Sequence, residues 1–216
     1  MPGFNIFGHK GGGEFAAIDR LGDGSLKGNQ GNYPRYAEAA RLGNGWSIMT
    51  ATAFAPVAAL PTTTARLELW NNSNSGMVMI ADQVFAFQLL STAAGQTYAV
   101  WAMVTTQKDN PTNTALTIYS NSGRPIITTT AVSRIVSAVD TTVVANGWRP
   151  FGAVQAWGTG VATPGNSLLG EVEGRLIVPP GCSLCVVVVG SLATASTFHC
   201  GASWFEAPLS SFTPIG

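Results

Sequence analysis

One stretch constrains the fold more than any other: VPPGCSLCVVVVGSLATASTFHCGASWFEAP, Val178 to Pro208. Pro179-Pro180-Gly181 cannot continue a strand ladder and marks a tight turn. Leu184 to Val189 is an unbroken apolar run rich in β-branched residues and ended by Gly190. It is too short to span a bilayer and suits a strand covered on both faces. Ser191 to Ser196 is small or polar apart from Leu192, as a hairpin connection should be. Phe198, Cys200, Ala202 and Trp204 then alternate with Thr197, His199, Gly201, Ser203 and Phe205. The stretch predicts a turn, a buried strand and a second strand forming a central hairpin. A hairpin of this kind needs a second sheet to cover it.

The remaining sequence supplies strands for that covering. Trp46–Ala55 has apolar residues at both parities, as a covered strand does. Ala65–Trp70 alternates, and Asn71 to Gly76 has the composition of a turn. Met77–Leu90 reads as a long strand with a bulge near Ala81-Asp82. Gln96–Thr106, Ala115–Ser120, Ile126–Val144, Trp148–Gly158 and Gly170–Val178 read as further strands. About nine or ten strands with evenly spaced turn signals, and no long amphipathic helix, predict an all-β fold of the jelly-roll-like sandwich type.

Residues 1–45 differ from the rest. They hold nine of the 22 charged residues, glycine is dense, and the apolar residues come singly or in pairs. Such a segment has no core of its own. A solvated tail would have little use for so many Phe and Tyr residues. The segment is therefore expected to be an extended arm that lays its aromatics on a neighbour, ahead of a β domain at 46–216. The docking candidates are Phe4, Ile6, Phe7, Phe15, Tyr33 and Tyr36 as anchors, with Arg20, Arg35 and Arg41 for polar contacts. Tyr36 to Leu42 is expected to form one or two helical turns stopped by Gly43-Asn44-Gly45.

Composition excludes several functions. Charged residues are 10% of the chain, against ~25% in an average domain. That suits a protein that buries its surface against copies of itself. A formal net charge of zero gives no basic footprint for nucleic acid. No apolar run reaches the ~20 residues of a membrane helix, and the N-terminus has no secretory pattern. The chain is thus expected to be made in a cytoplasm, with its three cysteines reduced.

No catalytic constellation stands out, and a role other than enzyme is expected. Cys182-x-x-Cys185 with His199 and Cys200 has the residue types of a zinc site. Neighbours on a strand face opposite sides, however, so at most three of the four could meet. They are expected to be packing residues. The only histidines are His9 and His199, and no nucleophile elbow accompanies either. Glu171, Glu173 and Arg175 are expected to share one strand face as a solvated or intersubunit charge row. Lys10 before Gly11-Gly12-Gly13 has the wrong order for a phosphate-binding loop. Six tryptophans could stack on sugars but are expected in core or interface. No metal or cofactor is expected.

RLELWNNSNSG, VFAFQLLSTA, WRPFGA, LIVPPG and the terminal SWFE together resemble small virion proteins of tailed bacteriophages. The resemblance covers roughly residues 46–208 and lies in the turn, the apolar strand, the small-residue connection and the closing strand. It implies a jelly-roll capsid cement or decoration protein. Such a protein would form a homotrimer on the capsid surface, bind the major capsid protein and be assembled in the bacterial host cytoplasm. Alternatives from other classes are a receptor-binding or tail-associated β-sandwich head and a single-jelly-roll coat protein.

Overall fold

A computed structural model describes residues 37, 39–40, 42–91, 96–106, 116–123, 135–144, 146–156, 167–191 and 196–212. The chain divides into two units, Met1–Glu38 and Ala39–Gly216, and the second carries the strands. These are β1 (Gly45–Met49), β2 (Thr64–Asn71), β3 (Met77–Ser91), β4 (Thr97–Thr105), β5 (Tyr119–Ser120), β6 (Ile135–Thr142), β7 (Arg149–Ala156), β8 (Ser167–Glu171), β9 (Ile177–Val178), β10 (Ser183–Gly190) and β11 (Ser196–Pro208). A 3₁₀ turn, Leu209–Phe212, follows. The fold is an all-β sandwich of two antiparallel sheets.

Sheet A has the order β5-β1-β11-β3-β8, with β9 also paired to β3; sheet B has the order β6-β2-β10-β4-β7. The pairings nest. β4 pairs β7, β3 pairs β8, β2 pairs β10 and β1 pairs β11. Each shell of this nest lies in the opposite sheet from the last, so the chain is one long folded hairpin rolled into two layers. The insertion between β4 and β7 adds β5 beside β1 and β6 beside β2.

The 178–208 stretch corrects the hairpin expectation. β10 and β11 do not pair with each other; β10 is the middle strand of sheet B and β11 the middle strand of sheet A. The chain therefore passes from sheet B at Gly190 to sheet A at Ser196. Small residues suit either connection, so their composition could not distinguish the two. The stretch is central in a stronger sense than expected, because it supplies the middle strand of both layers.

The inner faces follow period-2 alternation. Phe198, Cys200, Ala202 and Trp204 of β11 meet Leu184, Val186 and Val188 of β10 in one core. The Tyr98 ring of β4 crosses the sandwich to Phe198 of β11, edge to face at 4.7 Å. Its hydroxyl reaches Ser196 Oγ, which also accepts from Gln88 Nε2 at 3.0 Å. At one margin the two layers touch backbone to backbone. A Cβ on Gly152 of β7 would stand 2.3 Å from the Leu169 carbonyl oxygen of β8, and one on Gly170 would stand 2.6 Å from Phe151 Cβ. Glycine at both places lets β7 and β8 close that side.

Three sequence features lie where local chemistry predicts them. Ala37, Ala39 and Ala40 are helical. Gly43, at φ 81°, ends that turn by donating to the Ala40 carbonyl while Asn44 donates to Ala39, a Schellman cap. β3 is bulged at Asp82, the extra residue between the pairs Gln83–Ser203 and Ala81–Trp204. Asn71 departs from its turn assignment. It is the last residue of β2, 1% exposed, and its Nδ2 donates to the carbonyls of Met77 (2.9 Å) and Val178 (3.0 Å). It also accepts from Gly181 N through its own carbonyl. One amide thus ties the end of β2 to the start of β3 and to the Pro179-Pro180-Gly181 turn.

Candidate functional surface

The arm candidates Phe4, Ile6, Phe7, Phe15, Arg20, Tyr33, Arg35, Tyr36 and Arg41 lie outside the described residues, as does His9. The remaining sequence candidates are placed, and the fold scatters them. Cys200 points into the core, while Cys185 faces outward on sheet B in a second apolar cluster. Cys182 is partly buried in the turn before β10. His199 lies on the outward side of β11, its Nδ1 donating to the Thr50 carbonyl at 2.8 Å. Cysteine and histidine thus occupy three different layers, and none of the three cysteines is in a disulfide. Burial pushes the Cys185 thiol well up, with nearby Glu68 adding to the effect. Among the described residues no group of three or more His, Cys, Asp or Glu side chains could hold a metal ion, and no helix is long and apolar enough to cross a membrane.

The expected row of Glu171, Glu173 and Arg175 does not exist as a row. β8 ends at Glu171, and the chain turns before β9. Glu173 takes φ 51° at that turn, Gly174 takes φ 77°, and Arg175 N donates back to the Val172 carbonyl. The Asp82 bulge causes the break, because its carbonyl captures both Val172 N and Glu173 N at 2.8 Å. Arg175 points its guanidinium at the backbone, donating to the carbonyls of Glu171 and Val172, and covers the Phe151 ring. The carboxyls of Asp82, Glu171 and Glu173 gather instead around the bulge. Burial, and then the two glutamates, raise the Asp82 carboxyl above its ordinary value.

The two sheets treat their outward faces differently. On sheet B the outward side chains Ser183, Cys185 and Val187 of β10 are 0% exposed. One connection packs on this side, and another closes the edge of β10 beyond the end of β2. Val57 adds to the sheet beside β10, its N donating to Val188 and its carbonyl accepting from Gly190. Val143 and Trp148 pack on Ala65, Met103 and Cys185. Trp148 Nε1 donates to the Thr62 carbonyl at 2.9 Å and Asn146 Nδ2 to Val104 at 2.9 Å, which hold that cover down. Beneath it Ser183 donates to the buried Glu68 carboxylate at 2.8 Å.

Among the described residues, no segment covers sheet A's outward face. Its strand register lays the side chains in rows. One row crosses Leu169, Phe85, Gly201 and Met49; the next crosses Glu171, Gln83, Ser203, Ser47 and Tyr119. A third joins Ile177, Ile80 and Phe205. Leu169 is 52% exposed, Tyr119 50%, Met49 48% and Ile177 43%. The Phe85 ring reaches over Gly201, where a Cβ would come within 2.3 Å of Phe85 Cζ and of the Ile48 carbonyl. Gly201 thereby levels the centre of the face. The signal for this surface was present in the sequence, as apolar residues at both parities of β1 and β3. That pattern predicts cover on both sides, and on sheet A the outer cover is absent among the described residues.

No protein-family model matches the chain, and a comparison with curated proteins finds no match.

Proposed function

We propose that this chain is a structural virion protein: a jelly-roll capsid cement that stabilises a tailed-phage head by bridging capsid subunits. The observation that carries the reading is the nested pairing of β1 with β11, β2 with β10, β3 with β8 and β4 with β7. Nesting of eight strands across two sheets supports a jelly-roll reading, and that fold recurs in capsid proteins. The low charge of the chain and its aromatic, glycine-rich first 45 residues support an assembly role rather than a steered encounter with a charged ligand. In this reading each copy contributes weak contacts to the major capsid protein through the N-terminal segment. Association into a homotrimer multiplies those contacts through effective concentration.

The test uses heads assembled without the chain. Adding the full chain is expected to saturate a fixed number of sites and raise the temperature at which the heads open. Removing residues 2–42 is expected to abolish binding while the β sandwich stays folded. Binding by that truncation equal to the full chain's would refute the arm's role, and no binding by either would refute the cement reading.

A further inference from the structure

We propose that the outward face of sheet A is the surface on which a second copy of this chain docks. Pairing of one face with the same face of a copy generates a two-fold contact; it adds to the trimer of the cement reading and rests on that reading only for the premise that the chain assembles with itself. The face takes about nine positions along each of β11 and β3, five on each of β1 and β8 and two on each of β5 and β9, which at ~4.8 Å by ~3.4 Å per position is roughly 500 Å². A stable protein interface needs about 800 Å² from each partner. The strands supply roughly two thirds of that, and exposed Leu89 and Leu90 at the end of β3 extend the face.

Its chemistry selects a copy of itself over an unlike partner. Leu169, Phe85, Met49, Ile177, Phe205 and Tyr119 are apolar or aromatic, and Ser47, Ser203 and Gln83 between them are uncharged. Among the described residues the charged groups lie at one margin, around the Asp82 bulge. Unlike partners commonly recognise each other through opposed charges, which this face lacks at its centre. Surfaces that join identical subunits are more apolar and depleted of charge at their core. The chain as a whole carries no net charge to push copies apart. Gly201 leaves room at the centre of the face for the Phe85 ring, so that no side chain on β11 stands up there and a second sheet face can approach to ~10 Å, the ordinary spacing of packed sheets. Sheet B differs, because Val143 and Trp148 already pack on its outward side, where Ser183, Cys185 and Val187 are buried.

The experiment is mass measurement of the full chain by light scattering and sedimentation over a concentration series. The wild type is expected to be oligomeric at micromolar concentration. A Met49→Arg/Leu169→Arg double variant places two cations at sites that are half exposed and tolerate them. It should keep the wild-type circular dichroism and melting profile, yet associate at least about 100-fold more weakly. Val144→Arg, at an equally exposed apolar position off this face (59%), should leave the mass unchanged. A monomeric wild type, or a double variant with wild-type mass, would overturn the proposal. So would head binding by a monomer that is blocked by Leu169→Arg, since the face would then belong to the capsid protein. A wild type that self-associates through this face but ignores heads would sink the cement reading and leave this one standing.

Discussion

The two outward faces of the sandwich are built from strands of similar composition and end in opposite states. β10 is apolar at every position from Leu184 to Val189 and is covered on both sides. β1, β3 and β8 also carry apolar residues at both parities, yet Met49 and Leu169 stand half exposed. The difference lies in the connections. The segment that follows β6 packs over sheet B, where Trp148 Nε1 donates to the Thr62 carbonyl, while Val57 of the segment that follows β1 closes the edge of β10. No described segment crosses sheet A. Apolar content alone therefore does not determine whether a face is core or surface; the path of the loops does.

The sharpest way to break this contrast is to place one charge on each face. Val187→Asp puts an unpaired carboxylate under the cover of sheet B and should cost more than about 4 kcal/mol, enough that thermal or urea melting finds little folded protein. Ile177→Lys on sheet A should change stability by less than about 1 kcal/mol and weaken self-association instead. Equal destabilisation by the two would show that sheet A is as covered as sheet B.

A smaller loss is expected at the corner that ties the layers together. Asn71→Ala removes two buried hydrogen bonds and leaves the carbonyls of Met77 and Val178 without their donor. It should cost about 2–4 kcal/mol in a urea titration. Asn71→Asp keeps the shape but not the donors, and should be no better.

The acidic margin of sheet A gives a pH-dependent effect of lesser size. The Asp82 carboxyl holds its proton more tightly folded than unfolded. Its contribution is thus fully present below the ordinary carboxylate range and is lost as pH rises through the raised folded value. Asp82→Asn should melt slightly higher than wild type at pH 7, and the gap should close in acid. A gap that widened in acid would show the opposite shift. Least disruptive of all is thiol labelling of the native protein. Cys182, partly exposed, should react first, while buried Cys185 and Cys200 should wait for unfolding. Early reaction at Cys185 would mean that the cover of sheet B opens readily.

Much of this fold was legible along the chain, because strand periodicity and turn chemistry are local. The bulge at Asp82, the cap at Gly43 and the buried run of β10 each follow from a few neighbouring residues. What was not legible depends on partners distant in sequence. Ser191–Ser196 would serve a hairpin or a passage between sheets equally well, and only the pairing of β10 with β4 and of β11 with β3 decides between them. Glu171, Glu173 and Arg175 keep a two-residue spacing, but a carbonyl about 90 residues earlier, on Asp82, bends the chain between them. The uncovered face looked covered because a strand's sequence records its own polarity and not the loops laid over it. The arm residues Phe4 to Arg41 remain candidates on sequence grounds alone.

The passage of the chain from β10 in one sheet to β11 in the other has a consequence for how the protein comes to be folded. The strands in the middle of both sheets follow all the others in the sequence, so on the ribosome they emerge after them. Until β10 appears, β2 and β4 have no common neighbour; until β11 appears, the same is true of β1 and β3. Neither sheet can be completed by the earlier strands, and the outermost pair, β1 with β11, closes a loop of nearly the whole sandwich. Pairing over such distances is slow and leaves strand edges open while it waits. Two open sheets with apolar strands are the form most exposed to misassembly, and a single short segment, arriving late, seals both at once.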